Sequence, residues 1–314
     1  MTSAPWEDGS DGREERGGRE RDRQGRSHGS RRGGGLPRGG DSLAERSAIG
    51  LLWAAAISAV AVLGFIVVYV LWHGLPQLTP EFLLQSPSAM GREGGILPTI
   101  IGTVAVTAVG LIIAIPLGVG TAIYLTEYTR SEAVTAIIRF GAECLAGIPS
   151  IIFGLFGFLF FVIYLKMGWS LLSGGLTLAA MVLPTIIRTT EEAIKAVPLS
   201  HREVSLSLGA TRWQTVTRAV LPTAMPGIIT GVMLSIGRAV GETAAVIFTA
   251  GSSLRLPTSI FSPVRTMSVH FYILAREGIS MPRAYGTAAV LVLLILAINF
   301  AAYWAMNRFV ARRT

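Results

Sequence analysis

Residues 191–223 read EEAIKAVPLSHREVSLSLGATRWQTVTRAVLPT and separate two long apolar segments of the chain. Pro198 and Gly209 interrupt this polar stretch. Residues 203–208 between them predict a short helix, which Gly209 would end in a left-handed conformation. A connector of this length and order is more than a simple link between its neighbours.

The predicted helical pieces of this stretch carry side chains that suit a contact surface. The stretch would present Arg202, Glu203 and Trp213 to a partner on the side of the membrane where residues 191–223 lie. The alternative is an amphipathic element that lies on the lipid surface.

On either side of residues 191–223 the composition is that of a membrane protein. The 314-residue chain is 51% hydrophobic and only 15% charged, whereas a soluble domain is about 25% charged. Apolar runs longer than about 18 residues fit a bilayer better than a globular core. The pattern predicts an all-α membrane protein with six transmembrane helices, at residues 48–72, 98–125, 136–164, 171–190, 224–249 and 284–307.

The chain is predicted to divide at the start of the first apolar run. Residues 1–46 are rich in Gly, Arg, Asp and Glu and nearly lack large apolar residues, which predicts a disordered cytoplasmic tail. A nucleic-acid-binding or lipid-binding arm is the other reading. Residues 47–75 would form the first transmembrane helix, 76–97 an extracytoplasmic loop and 98–310 the core.

Lys and Arg residues set the expected orientation. The tail, the 126–135 turn, residues 191–223 and the C-terminus would share the cytoplasmic side, so both termini are expected there. Residues 250–283 are an exception, because they would place Arg255, Arg265, Arg276 and Arg283 on the outer side.

Neither an enzyme nor a cofactor protein is indicated by the residues. Cys144 is the single cysteine, the four histidines show no metal-ligand spacing, and no GxxxxGK[ST] loop is present. The net charge is +8, and the basic residues cluster where apolar runs end. This distribution argues for membrane topology and against nucleic acid as a partner.

The central stretch resembles a known motif of transport proteins. Glu203, Gly209 and the pair Leu221-Pro222 stand at the spacing of the EAA motif of ABC importer permeases. Val204, Ser205 and Ala219 depart from its Ala, Ala and Ile. The resemblance implies a type I (MetI-like) permease, whose coupling helix docks in a cytoplasmic ATPase that swings two permeases between inward-open and outward-open states.

Five further stretches narrow the resemblance to PstA-type phosphate permeases rather than PstC-type ones. They lie within residues 90–310 and read GGILPTIIGT, IYLTEY, LAGIPSIIFGLFGF, LPTIIRTTEEAIKAVP and GIITGVMLSIGRAVGETAAVIFTAG. The resemblance implies import of inorganic phosphate across a bacterial cytoplasmic membrane. It also implies a PstC-type permease, a PstB-type ATPase dimer and a PstS-type phosphate-binding protein as partners.

The predicted fifth span contains two opposite charges. Arg238 and Glu242 are four residues apart, so on one helix they would share a face and pair. A charge at the bilayer centre costs on the order of 2.5–3.5 kcal/mol, so the pair should face protein or water. Small and polar residues share that arc, which is typical of helix–helix contact: Gly227, Gly231, Ser235, Ala245 and Thr249. Either the pair locks helix packing, or Arg238 lines an anion pathway and Glu242 moderates its hold.

Two other features have two readings each. Arg188, at the end of the fourth span, either extends to the membrane interface or lies at the pathway mouth. Residues 147–157 contain either a broken helix that allows close helix approach or ordinary packing glycines.

Three alternative functions remain open at this stage. They are a permease for another oxyanion such as sulfate, molybdate or tungstate, an ion-coupled secondary carrier, and a membrane receptor or scaffold. The spacing of Glu203, Gly209 and Leu221-Pro222 argues against a secondary carrier.

Overall fold

The computed structural model describes residues 43–311. Within them the regular structure is helical except for one hairpin of two-residue strands. The hairpin pairs Pro87 with Gly94 and Ser88 with Glu93. The elements are α1 (Leu43–Gly74), α2 (Pro80–Leu84), β1 (Pro87–Ser88), β2 (Glu93–Gly94), α3 (Leu97–Ile123), α4 (Glu132–Gly147), α5 (Ser150–Gly157), α6 (Leu171–Lys195), α7 (Leu199–Ser207), α8 (Arg212–Thr215), α9 (Leu221–Val240), α10 (Ala244–Thr249), α11 (Met267–Arg276) and α12 (Met281–Ala311).

Three short π-helical segments extend these helices. Tyr124–Tyr128 follows α3, Phe158–Tyr164 follows α5, and Val216–Val220 joins α8 to α9. The last segment makes residues 212–240 one continuous helical run. The predicted fifth span therefore begins before residue 224.

The described residues contain the expected number of membrane crossings. Five helices are long and apolar enough to span a membrane, and the number reaches the expected six when a bent pair of helices is taken as one span. This confirms the predicted all-α membrane fold. The predicted tail lies outside the described residues, except that its last four residues belong to α1.

The predicted third span is not one straight helix. It consists of α4 and the run Ser150–Tyr164, which meet at a bend of 102°. Pro149 lacks an N–H and disfavours helical geometry at Ile148, whose backbone is extended at φ −75° and ψ 131°. Of the two readings of residues 147–157, the structure shows the broken helix.

Helix α6 is the most buried of the candidate spans and lies at the centre of the core. It packs on α3, α4, α5, α9 and α10. Small residues allow the close approach to α3, since a Cβ on Gly110 would lie 3.1 Å from the carbonyl oxygen of Gly175. The largest apolar cluster joins these helices through Val106, Phe153, Leu178, Met181, Val182, Ile186 and Val246.

The chain divides into two units, residues 1–58 and 59–314. The first contains the described part of α1 before Ala59, whose apolar side chains are exposed. In the second, Tyr69 and His73 near the end of α1 contact the ring of Tyr285 in α12.

Candidate functional site

The connector between α6 and α9 folds as its sequence predicts. Helix α7 begins after Pro198 and ends before Gly209, which has a φ of +82°. The amide N–H of Gly209 donates to Leu206 O at 2.9 Å, and that of Ala210 donates to Ser205 O at 3.2 Å. A residue with a side chain is strained at this φ, so glycine is required where the chain reverses.

The second half of the connector leads directly into the fifth span. Thr211 and Gln214 form a reciprocal capping box at the start of α8. The hydroxyl groups of Ser205 and Thr215 lie 3.0 Å apart and join α7 to α8. Leu221 and Pro222 begin α9 directly after the π-helical segment Val216–Val220, inside the continuous helical run.

An apolar surface with one carboxylate covers the outside of this connector. Leu208 is 83% exposed and Trp213 is 63% exposed, and Leu199, Val204 and Leu206 are exposed beside them. Glu203 is also exposed. Contiguous exposed apolar side chains at a polar end of a membrane protein mark a binding surface.

Arg202 does not belong to that surface, so its predicted presentation to a partner is wrong. Its Nε and one terminal nitrogen donate to Glu127 Oε1 at 3.0 and 2.8 Å. The guanidinium also donates to the carbonyl oxygens of Val197 at 2.8 Å and Ile194 at 3.0 Å. The last carbonyls of a helix lack partners within the helix, and Arg202 donates to that of Ile194 at the end of α6.

The sequence reasoning missed the role of Glu127. This carboxylate ends the apolar run of α3 and lies in the π-helical segment beside the connector. The sequence did contain one indication of this role, because Glu127 is an isolated acidic residue at the same end of the helix bundle as Arg202. The ion pair fastens α7 to α3 and to the end of α6.

The predicted face shared by Arg238 and Glu242 does not form, because α9 ends at Val240. Gly241 and the two residues after it leave the helix before α10 starts at Ala244. The carboxylate of Glu242 instead accepts the amide N–H of Ala245, in the first turn of α10, at 3.1 Å. Among the described residues no ion pair joins Arg238 to Glu242.

The small residues of α9 do make the predicted helix–helix contact. A Cβ on Gly227 would lie 2.6 Å from Ala193 Cβ, and one on Gly231 would clash with Thr189 Oγ1, both on α6. Ser235 is fully buried. Gly154 similarly brings α5 against α10, since its Cβ would lie 2.9 Å from Ala244 O.

Arg238 is exposed in the last turn of α9 and lines an open groove of about 810 Å³. Within residues 43–311 its guanidinium has no hydrogen bond or ion pair. The groove lies between α6, α9 and α12 and is also lined by Thr185, Thr230, Met233, Leu234, Gly237, Asn299 and Tyr303. It therefore presents one unpaired cation among hydroxyl, amide and apolar groups.

Arg188 lines a different cavity, of about 210 Å³, between α4 and α6. Its Nε lies 3.3 Å from Glu192 Oε1. Beside it, the buried carboxylate of Glu191 pairs with Arg139 and, at 2.6 Å, with Lys195. The structure thus does not bring Arg188 and Arg238 into one cavity.

These features define a class of protein: a polytopic helical membrane protein with an exposed apolar surface at one end of its fifth span and an unpaired arginine near the other. Residues 114–314 match the family described as binding-protein-dependent transport system inner membrane component. The chain belongs to this family. Membership implies an extracytoplasmic binding protein and an ATPase as partners, and makes the chain a transporter subunit rather than an enzyme.

Curated relatives cover most of the chain. It is 36% identical to the probable ABC transporter permease protein YqgI of Bacillus subtilis, over 83% of this chain and 95% of the relative. It is 37% identical to phosphate transport system permease protein PstA 1 of Mycobacterium tuberculosis strain H37Rv, over 70% and 71%. Identity to PstA of Haemophilus influenzae is 32%, over 80% and 89%. These relatives confirm the resemblance to PstA-type permeases.

Solved structures share the fold at lower identity. A chain of the inward-facing MetNI methionine ABC transporter aligns with a TM-score of 0.55 at 21% identity, over 68% of this chain and 94% of its own. A chain of a bacterial alginate ABC transporter aligns with a TM-score of 0.58 at 15% identity, over 84% and 96%. The type I permease architecture predicted from the sequence is thereby confirmed.

Proposed function

We propose that this chain is the PstA-type permease subunit of an ATP-driven importer of inorganic phosphate. The observation that carries the proposal is the exposed, unpaired Arg238 on the helix that the coupling connector leads into. A guanidinium offers two parallel N–H donors to phosphate oxygens. The names of several relatives point to the same ion.

The connector would be the coupling element of the importer. Glu203 and the exposed apolar side chains of α7 would bind a groove of a PstB-type ATPase, while Gly209 sets the reversal that presents them. Leu221 and Pro222 join this surface to α9. Closure of the ATPase dimer would then move α7, and the Arg202–Glu127 pair would carry that motion to α3 and α6.

The groove beside Arg238 would become part of the phosphate pathway when a PstC-type permease covers it. A conduit must attract its ion without retaining it, so a full ring of cations is not expected. Glu242, two residues before the start of α10, would limit the retention through its negative charge. Arg188 would act at the mouth of the pathway near the coupling end.

A PstS-type protein would deliver phosphate at the end opposite the connector. In this arrangement the connector and both termini face the cytoplasm, with residues 1–46 as a tail. Residues 76–97 form an outer loop in the same arrangement.

Co-purification followed by transport in proteoliposomes tests the proposal. This chain, expressed with its candidate PstC-type and PstB-type partners, should form a stable complex and accumulate labelled phosphate when ATP and the binding protein are supplied. Excess sulfate, molybdate or tungstate should not compete. Competition by one of these anions, or uptake that an uncoupler abolishes and ATP depletion does not, would reject the proposal.

A variant pair tests the coupling role separately. Glu203→Lys combined with Gly209→Val should release the ATPase from the complex and abolish uptake, because it reverses the charge and strains the turn. His201→Gln is the matched control, since His201 is exposed on the same helix. Unchanged association and uptake in the double variant would rule out this surface as the docking site.

A further inference from the structure

Residues 250–266 lie at the end of the bundle opposite α7. The first amides of α6 bond to this loop, from Leu171 N to Ser262 O at 3.0 Å and from Leu172 N to Ile260 O at 2.9 Å. Helix α7 follows the other end of α6. The arginine-rich segment 250–283, which runs against the positive-inside bias, is therefore remote from the coupling surface.

Two of the four arginines in this segment have structural partners. Arg276 donates to Tyr272 Oη at 2.6 Å and lies over the same ring. Arg283 donates to the carbonyl oxygen of Gly94 and lies 5.2 Å from the centroid of the Phe82 ring. The first contact lies within α11, whereas the second joins α12 to α2 and β2.

The other two arginines line one cavity of about 370 Å³. Arg265 is held in place, since its Nε donates to Ser252 O at 2.9 Å and a terminal nitrogen lies 3.4 Å from His270 Nδ1. Burial lowers the pKa of His270 to about 4, so at neutral pH the ring is uncharged and accepts from the guanidinium. Arg255 is exposed, and its guanidinium has no partner among residues 43–311.

The remaining polar groups of this cavity leave it cationic. Ser252 and Ser253 lie on its wall and add hydroxyl groups. Glu277 is the one carboxylate on the wall, and it forms no ion pair with either arginine in the described part of the chain. The formal charge of the lining side chains is thus +1, from Arg255 and Arg265 against Glu277.

This cavity adjoins a larger one that reaches the break in the fifth span. Ser252 and Ser253 also line a cavity of about 1080 Å³, whose wall includes Thr243 and Ala244. Those two residues directly follow Glu242, where α10 begins. The two cavities therefore share a wall between residues 250–266 and the region beyond Arg238.

We propose that the cavity of Arg255 and Arg265 is an entry site for a tetrahedral oxyanion, occupied before the ion reaches the groove of Arg238. The identity of the ion as phosphate rests on the proposed function. Arg265 supplies a preorganised guanidinium, Arg255 an exposed one, and the serines complete the shell. Glu277 keeps the hold weak enough for onward transfer.

A single introduced thiol reports occupancy without relying on transport. Cys144 is the only cysteine of the chain, and Ser252 is exposed with a side chain that makes no hydrogen bond in residues 43–311. Cys144→Ala with Ser252→Cys is assembled with its partners in proteoliposomes. A membrane-impermeant maleimide is added outside, in phosphate or in chloride of equal ionic strength.

Phosphate at about ten times its dissociation constant should slow labelling by about tenfold. Arg255→Gln and, independently, Arg265→Gln should reduce that protection to about twofold or less. Arg92→Gln, an exposed arginine outside the cavity, should leave it unchanged. Arg255→Gln keeps the test valid if the partly buried Arg265 is needed for folding.

The outcomes separate this proposal from the proposed function. Normal phosphate transport without protection would overturn the entry site and leave the function intact. Protection by the docked binding protein in the absence of phosphate would also overturn it, because the arginines would then be a docking contact. Protection by phosphate in a complex that transports none would support the site and reject the function.

Discussion

Arg202 lies in the connector that leads into α9 and Arg238 lies in the last turn of α9, and their surroundings differ completely. The side chain of Arg202 is 18% exposed and donates hydrogen bonds to Glu127, Ile194 and Val197. Arg238 is exposed and has no partner among the described residues. One guanidinium holds helices together, whereas the other is available to a ligand or a second subunit. Loss of the first should damage assembly, and loss of the second should damage transport alone.

Arg238→Gln provides the strongest test of this contrast. We expect phosphate uptake to fall by on the order of a hundredfold, because a buried ion loses its charged donor once a partner covers the groove. Yield and complex assembly should stay unchanged. Arg130→Gln, at another exposed and unpaired arginine, should leave uptake unchanged. Normal uptake in Arg238→Gln would remove the pathway role.

Arg202→Gln should act on stability. Breaking a buried ion pair costs about 3–5 kcal/mol, and partial exposure here reduces the expected loss to about 2–3 kcal/mol. Denaturant unfolding of the purified complex measures the change. Glu127→Gln should cost a similar amount, and the double variant should cost clearly less than the sum. Additive losses would show that the two side chains do not act as a pair.

Gly231→Val tests the contact between α9 and α6. The added side chain would clash with Thr189, and overpacking typically costs about 1–3 kcal/mol. Thermal unfolding in detergent should show the loss. Gly120→Ala, at a helical glycine with open space around it, should be neutral or slightly stabilising. Equal behaviour of the two variants would contradict the packing described for α9.

Acidification should destabilise the end of the bundle that contains α11 before the end that contains α7. The pKa of His270 is lowered to about 4 by burial and, secondarily, by the charge of Arg265, so the unfolded state binds the proton more readily. The stabilisation is complete above about pH 6.5 and is lost as the pH falls towards 4. At pH 5.5 the cost should be about 1 kcal/mol. The protection factors of the amides of residues 266–276, which correct exchange rates for their intrinsic pH dependence, should fall at this pH, and His270→Gln should abolish that fall.

The sequence predicted the elements that depend on local rules. Gly209 has the conformation expected of it, and apolar run lengths located the crossings, because both follow from backbone sterics and bilayer thickness. The prediction that Arg238 and Glu242 pair on one helical face was wrong, because it required one continuous helix through Gly241. The prediction that Arg202 faces a partner protein was wrong because its actual partner, Glu127, is 75 residues away in the sequence. No local pattern encodes a contact at that separation.

The π-helical segment Val216–Val220 fixes the helical phase of the fifth span. A π turn accommodates one residue more than an α-helical path of the same length. Deleting one residue there would rotate all of α9 by about 100° relative to the connector. Arg238 would then leave its groove with every contact residue still present in the sequence. The direction in which Arg238 points is thus set by a residue count at the opposite end of the helix.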